Sequence, residues 1–226
     1  MSSTANPASA DSEGSSKLRL GILISGGGSN LQAIIDAIAA GTLDAQIAVV
    51  ISNKSNAYGL ERARAAGIPA IALDPKDYQQ ATKAETAESF DAAILDALRH
   101  HKVDWVAMAG YMRLITSHIL DAFPNRVLNL HPSYLPAFPG AHAIRDALDA
   151  GVATTGVTVH IANEIFDEGP IIEQIKVPIL SGDTFDTLAE RVHAVEHVLY
   201  PRVLQYVAEN RLRVADGKVT VLEGTD

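Results

Sequence analysis

Three side chains that could stabilise charge on a reacting carbonyl stand near the ends of predicted strands. Asn129 and His131 occur in VLNLH, where a spacing of two places both side chains on one face of a strand. Asp167 precedes Gly169-Pro170. An amide, an imidazole and a carboxylate at strand ends of one sheet suit acyl transfer without a covalent nucleophile. A plain turn role for Asp167 is the alternative.

A glycine-rich turn, LISGGGSN at residues 23–30, joins a predicted strand to a predicted helix. Its backbone N–H groups and the helix N-terminus suit a phosphate. Leu31 replaces the last glycine of a dinucleotide fingerprint, and the turn has no Walker lysine. A terminal monophosphate, as in a phosphosugar, is therefore the anion that Ser29 and Asn30 would hold. A tight turn in which Ser29 or Asn30 caps the helix remains an open alternative.

The elements that must position these residues follow an alternating pattern. Short β-branched runs alternate with longer segments of helical period. Strands are predicted over 18–24, 46–51, 70–73, 105–108, 127–130, 157–161 and 171–177. Helices are predicted over 30–40, 58–66, 84–100, 113–122, 143–150 and 184–209, and Asp216-Gly217 predicts a terminal hairpin. The fold class is α/β, with three layers, a mostly parallel central sheet and antiparallel pairing toward the C-terminal part.

Composition narrows the class of protein. A net charge of −9 provides no basic surface for nucleic acid, and the absence of cysteine excludes disulfides, thiolate zinc sites and a cysteine nucleophile. No apolar run approaches the ~20 residues of a membrane span. Residues 1–16 are small and polar, which predicts a disordered tail before a single domain over 17–226. A cytoplasmic protein acting on small molecules is expected.

Six segments, in this order, resemble the phosphoribosylglycinamide formyltransferases, also called glycinamide ribonucleotide transformylases. They are SGGGSNLQAIIDA, SNKSNAYGLERA, AGYMRLI, NLHPSYLPAFPG, DEGPII and EHVLYP. The likeness covers residues 20 to 212 approximately. It implies a Rossmann-like formyltransferase fold. It also implies transfer of a formyl group from the co-substrate 10-formyltetrahydrofolate to the glycyl amine of 5′-phosphoribosylglycinamide, in de novo purine biosynthesis and without a metal.

The resemblance also implies a role for individual residues. Phosphosugar binding falls to Gly28, Ser29, Asn30 and Glu196. Folate binding falls to Met112, Arg113, Leu114, Ile115 and Asn129. Asn129, His131 and Asp167 perform the chemistry. Asn129 and a protonated His131 would stabilise the developing oxyanion, while Asp167 keeps His131 charged and helps relay the amine proton to the departing folate nitrogen. The two substrates are the implied partners, and a homodimer is an option.

The sequence departs from the family pattern at three positions. Ala87 stands where a folate-contacting arginine is expected, so a cation must come from Lys83 or elsewhere. Ala137 replaces an expected lysine and Tyr134 an expected leucine. None of these positions belongs to the catalytic set.

Four other functions compete with this interpretation. HAVEH, residues 193–197, has the spacing of a zinc peptidase motif, although only 29 residues follow to supply a third ligand. A formyltetrahydrofolate deformylase or a methionyl-tRNA formyltransferase shares the core chemistry, but each would carry an additional domain. A phosphosugar-binding module without catalysis is the alternative from outside the enzymes.

Overall fold

A seven-stranded sheet forms the middle layer of the computed structural model, which describes residues 17–224. Its strands are β1 (Leu18–Ile24), β2 (Ala45–Ser52), β3 (Ala70–Ala72), β4 (Trp105–Met108), β5 (Val127–His131), β6 (Thr154–Ile161) and β7 (Ile171–Pro178). Their order is β3-β2-β1-β4-β5-β6-β7. The first five are parallel, and β6 runs antiparallel to both β5 and β7. The predicted sheet is confirmed, and the predicted tail over 1–16 lies outside the described residues.

Helices cover both faces of the sheet. They are α1 (Ser29–Ala39), α2 (Tyr58–Ala65), α3 (Lys83–His100), α4 (Ser117–Ala122), α5 (Ala143–Asp149) and α6 (Phe185–Ala208), with a 3-10 helix at Pro75–Tyr78. Apolar side chains of α1, α2, α5 and α6 share one core cluster, and those of α3 and α4 share the other. Because both faces are covered, central strands such as β1 have nearly continuous apolar sequences.

The order of the strands reverses between the neighbours β1 and β4. The connection after β1 leads to β2 on one side, and the connection after β4 leads to β5 on the other side. In open α/β sheets, ligands bind at the carboxyl ends of strands beside such a reversal. The glycine turn follows β1, the segment 109–116 follows β4, and Asn129 and His131 end β5. The glycine turn, the segment after β4 and the end of β5 therefore lie along one edge of the sheet, and the loop after the antiparallel β6 brings Asp167 to Asn129 and His131.

The predicted helix over 113–122 is wrong at its start, because α4 begins only at Ser117. The Asp91 carboxylate accepts a hydrogen bond from the Thr116 N–H at 2.5 Å, and the buried Ile115 side chain packs in the second core cluster. These tertiary contacts hold residues 113–116 outside the helix. The helical period of the sequence does not reveal them.

The C-terminal part of the chain closes one face. The predicted hairpin is confirmed as β8 (Leu212–Ala215) and β9 (Lys218–Val221) around Asp216-Gly217. On α6, the buried Tyr200 hydroxyl lies 3.1 Å from the Met108 carbonyl oxygen and 3.2 Å from that of Leu128. Tyr200 therefore ties α6 to the ends of β4 and β5. No helix within residues 17–224 is long and apolar enough to cross a membrane.

Candidate active site

A cavity of about 500 Å³ opens at the carboxyl ends of β4 and β5. Its walls come from residues 108–115, from 129–132, from 139–141 and from 160–168. Asn129, His131 and Asp167 all line it, as do the four predicted folate residues 112–115. The structure therefore brings together the predicted catalytic and folate-binding residues.

The Asn129 side chain is held in one orientation by two neighbours. Its Nδ2 lies 3.2 Å from Asp167 Oδ1 and 3.1 Å from His160 Nε2. An ionised carboxylate can only accept, so the amide nitrogen must face Asp167. The same nitrogen then donates to His160 Nε2, while His160 Nδ1 donates to the Ile161 carbonyl oxygen at 3.0 Å. This pattern requires the neutral Nδ1–H tautomer of His160.

His131 faces an acceptor at each ring nitrogen. Nε2 lies 2.9 Å from the Phe138 carbonyl oxygen, and Nδ1 lies 3.3 Å from Asp167 Oδ1. A carbonyl oxygen can only accept, so Nε2 carries a proton, and Nδ1 faces the Asp167 carboxylate. The His131 side chain is only 5% exposed, which strengthens its attraction to Asp167.

Asp167 is the carboxylate that joins these groups. Its Oδ1 faces Asn129 and His131, and its Oδ2 accepts the Gly140 N–H at 2.7 Å. Burial alone raises the pKa of Asp167, but the contacts of its carboxylate, among them the Gly140 N–H and His131, outweigh burial and bring the pKa below its ordinary value. The carboxyl is therefore ionised at neutral pH.

Asn129 and His131 surround the buried Asp167 carboxylate as two hydrogen-bond donors. Both amide hydrogens of Asn129 and the Nε2–H of His131 have protein acceptors, and His131 Nδ1 lies beside Asp167 Oδ1. An oxyanion in the cavity must therefore replace one of these acceptors. The contacts to Asp167 Oδ1, at 3.2 and 3.3 Å, are the longest of the set and the easiest to exchange.

The segment after β4 forms the opposite wall of the cavity. The buried Ser25 hydroxyl accepts the Met112 N–H at 2.9 Å and donates to Asn53 Oδ1 at 2.6 Å. This links the end of β1 to the cavity wall. Ile115 is buried, whereas Met112 and Leu114 are exposed at the rim together with Ile165 and Phe166. The rim therefore presents apolar surface to an incoming ligand.

Arg113 is the only lysine or arginine among the lining residues, within the part of the chain that the structure describes. Its guanidinium carbon lies 5.0 Å from the centre of the Phe90 ring. Lys83, the cation considered as a replacement at Ala87, is exposed at the start of α3 and does not line the cavity. Within the described residues, Arg113 is therefore the lining cation available for the role expected near Ala87.

The predicted phosphosugar residues form a second group, outside the cavity lining. Gly28 is the N-cap of α1 and adopts a left-handed conformation, with φ 70° and ψ 33°. No side chain caps this helix, so the alternative in which Ser29 or Asn30 serves as N-cap is wrong. The first N–H groups of α1 have no acceptor within the helix, and they remain available to an anion.

Asn30 and Glu196 meet although 166 residues separate them. Asn30 Nδ2 donates to Glu196 Oε2 at 2.9 Å, and His193 Nδ1 donates to the same oxygen at 2.8 Å. This hydrogen bond to Glu196 raises the pKa of His193, against the opposing effect of burial. Both predicted residues thus lie at one point, between the start of α1 and the middle of α6.

The zinc alternative receives no support from this geometry. The rings of His193 and His197 are stacked nearly parallel, with centres 6.5 Å apart, and Glu196 is bound by Asn30 and His193. Residues 17–224 contain no group of three or more His, Cys, Asp or Glu side chains placed to hold a metal ion.

Three groups that contact Asn129, His131 or Asp167 are not predicted from the sequence. His160 carried no assigned role, although a polar residue in the apolar run VTVHI was the available signal. It lies directly across from Asn129 in the β5–β6 register. The Phe138 carbonyl and the Gly140 N–H are backbone groups, whose positions depend on the conformation of the proline-rich loop. No side-chain pattern could reveal them.

The chain is similar in sequence to known formyltransferases and purine biosynthetic proteins. Residues 18–204 match the formyl transferase family. The phosphoribosylglycinamide formyltransferase of Bacillus subtilis is 41% identical over 187 residues, which cover 83% of this chain and 93% of that protein. The trifunctional purine biosynthetic protein adenosine-3 of Chironomus tentans is 42% identical over 88% of this chain. The chain spans only 14% of that relative and 19% of the one from Bos taurus.

Solved structures agree with the sequence relatives. Glycinamide ribonucleotide transformylase 1 from Symbiobacterium toebii superposes with a TM-score of 0.87 at 48% identity, covering 92% of this chain and 95% of that one. A formyltetrahydrofolate deformylase from Pseudomonas syringae gives 0.81 at 30% identity, covering 92% of this chain and 66% of that one. The three-layer fold with its antiparallel C-terminal strands is shared with these proteins.

Proposed function

The chain belongs to the formyl transferase family, within its phosphoribosylglycinamide formyltransferases, and we propose that it formylates 5′-phosphoribosylglycinamide in purine biosynthesis with 10-formyltetrahydrofolate as donor. One observation carries the proposal. In the wall of a cavity with an apolar rim, Asn129 donates to Asp167, and His131 Nδ1 faces the same carboxylate oxygen at 3.3 Å. Residues 17–226 act in this proposal as one formyltransferase unit.

The chemistry of direct transfer matches the donors in this group. The glycyl amine attacks the formyl carbon, a C–N bond forms, and negative charge develops on the formyl oxygen. Asn129 Nδ2–H and an N–H of His131 are the donors for that charge, each exchanging its contact with Asp167 Oδ1 for the oxyanion. The bond from carbon to the folate nitrogen then breaks as the carbonyl reforms.

Asp167 has two tasks in this scheme. Its negative charge favours the protonated form of His131 before the reaction. Once its Oδ1 is released by the donors, the carboxylate can accept the proton of the attacking amine and pass it to the departing folate nitrogen.

Substrate binding divides between the two groups of residues. The folate lies in the cavity against Met112, Leu114 and the Ile115 backbone, with Arg113 near its carboxylates. The phosphate lies on the N–H groups of Gly28, Ser29 and Asn30, and Glu196 contacts the ribose. Because Ser25 bonds to the segment after β4, the phosphosugar turn and the folate wall are held in a fixed relation.

The test is a spectrophotometric assay of folate deformylation, run with and without 5′-phosphoribosylglycinamide. We expect release of the deformylated folate only when the ribonucleotide is present. Release of equal size without it would establish a hydrolase, as the likeness to the Pseudomonas syringae deformylase allows. No release in either reaction would overturn the catalytic proposal and favour a phosphosugar-binding module.

A further inference from the structure

Arg62, on α2, contacts the glycine turn on the side of the Gly27 carbonyl. Its Nε donates to the Gly27 carbonyl oxygen at 2.9 Å, and its Nη1 donates to Gln32 Oε1 in α1 at 3.0 Å. Its guanidinium carbon lies 4.9 Å from the centre of the Tyr58 ring. One guanidinium thus joins the residue before the N-cap to the first turn of the helix.

The charge of Arg62 is not neutralised by a carboxylate. Both of its acceptors are neutral, and none of the ion pairs found among residues 17–224 includes it. By contrast, Arg64 on the same helix pairs with Glu61. A cation with only neutral partners leaves positive potential at the turn, where the first N–H groups of α1 also attract an anion.

Arg62 also determines which way the turn presents its N–H groups. In a planar trans peptide the carbonyl and the next N–H point in opposite directions. Because Arg62 holds the Gly27 carbonyl, the Gly28 N–H points away from Arg62. The Gly59 N–H holds the Gly26 carbonyl at 3.0 Å in the same manner.

A buried acceptor close by is also left without a partner. Asn30 is 8% exposed, and its Oδ1 has no hydrogen-bond partner within the described residues. A ligand hydroxyl next to the phosphate would satisfy it.

We propose that Arg62 is a positioning residue for the phosphate monoester of the substrate, fixing the Gly27–Gly28 peptide and supplying the positive charge that the turn lacks. This inference rests on the proposed function.

The test is calorimetric titration of the full chain with ribose 5-phosphate and, separately, with inorganic phosphate. Arg62→Gln should weaken both roughly tenfold, since a charge-assisted contribution of this kind is worth about one factor of ten. Arg64→Gln removes the same charge from the same helix and should bind as the wild type. In the formyl transfer assay, Arg62→Gln should raise the KM for 5′-phosphoribosylglycinamide with kcat and the folate KM unchanged.

Wild-type affinity in Arg62→Gln, an equal loss in Arg64→Gln, or failure of the wild type to bind either phosphate would overturn the inference. If Arg62→Gln does not fold, Arg62→Lys replaces it. Its ammonium cannot bridge both acceptors as the guanidinium fork does, so its affinity should fall roughly threefold, and wild-type affinity would overturn the inference. Because calorimetry needs no folate, an Arg62-dependent phosphate site without formyl transfer would contradict the proposed function alone.

Discussion

In the proposed mechanism His131 carries a proton on each ring nitrogen, and the Phe138 carbonyl and Asp167 face the ring from two sides. In that mechanism the second proton matters for transfer, since it would compensate charge that develops on the formyl oxygen in the transition state. Asn129 is prepared in a similar way by Asp167 and His160. At this scale, the site is a set of donors oriented before the substrate arrives.

Removing a donor or the anion should therefore affect turnover more than binding. His131→Ala and Asp167→Asn should each lower kcat by about a hundredfold or more. Ribose 5-phosphate should bind both variants as it binds the wild type, because its predicted contacts lie outside the cavity lining. Steady-state kinetics and calorimetry measure the two effects. His118→Ala, on the exposed side of α4, is the control. Lost phosphosugar affinity with normal turnover would contradict these roles.

Arg113 should matter for the folate alone. As the cation of the cavity wall, it is expected to pair with a folate carboxylate, so Arg113→Ala should raise the KM for the formyl donor about tenfold with little change in kcat. Lys83→Ala removes an equal charge outside the cavity and should leave that KM unchanged. A larger effect from Lys83→Ala would show that the cation comes from α3 instead.

At the scale of elements, the join between β1, α1 and α2 is the tightest constraint near the site. Gly28 has a positive φ of 70°, and a Cβ there would lie 2.7 Å from the Gly59 Cα. Both the conformation and the space require glycine. This close approach brings the start of α2, and with it Arg62, against the turn.

Alanine substitutions can separate this constraint from general loop flexibility. Gly28→Ala should destabilise the fold by about 1–3 kcal/mol and weaken ribose 5-phosphate binding, because backbone or helix α2 must shift. Gly27→Ala is the matched control, since a Cβ there has nothing within 4 Å and its φ is not positive. Urea denaturation and calorimetry provide the measurements. Equal stability losses in the two variants would show that the contact with Gly59 is unimportant.

At the scale of the whole molecule, Glu196 links α6 to α1, although 166 residues separate it from Asn30. Its carboxylate, 3% exposed, binds Asn30 of α1 and His193 of α6 itself. The pKa of His193 is raised by the hydrogen bond to Glu196. A group whose pKa is higher in the folded state contributes stability below its unfolded pKa and loses it as the pH rises through the folded pKa.

The free energy of unfolding should therefore fall with pH in a way that depends on this pair. Wild type should exceed His193→Gln in stability near pH 6, and the difference should shrink as the pH rises beyond the ordinary histidine value of 6.5. Glu196→Gln should abolish the same pH dependence, because the carboxylate that raises the pKa is gone. Urea denaturation at a series of pH values measures this. A difference that stays constant with pH would exclude the linkage.

Local sequence by itself determined most of the elements. Strands β1 and β4 were predicted to the residue, and the hairpin around Asp216-Gly217 was placed correctly. These segments carry their own pattern of apolar residues and turn residues, so short-range preferences agree with the final fold. The spacing of Asn129 and His131 placed both on one face of β5, since side chains alternate along a strand.

Tertiary structure alone decided what those residues face. The late start of α4 depends on Asp91 and on the burial of Ile115, and the contact of Asn30 with Glu196 spans 166 residues. His160 reaches Asn129 only through the pairing of β5 with β6, and the acceptors at Phe138 and Gly140 are backbone groups. Local sequence patterns reflect the interactions between residues that are close along the chain. Hydrogen bonds between distant segments form only after the sheet has brought those segments together. Local sequence patterns therefore could not predict the orientation of the donors.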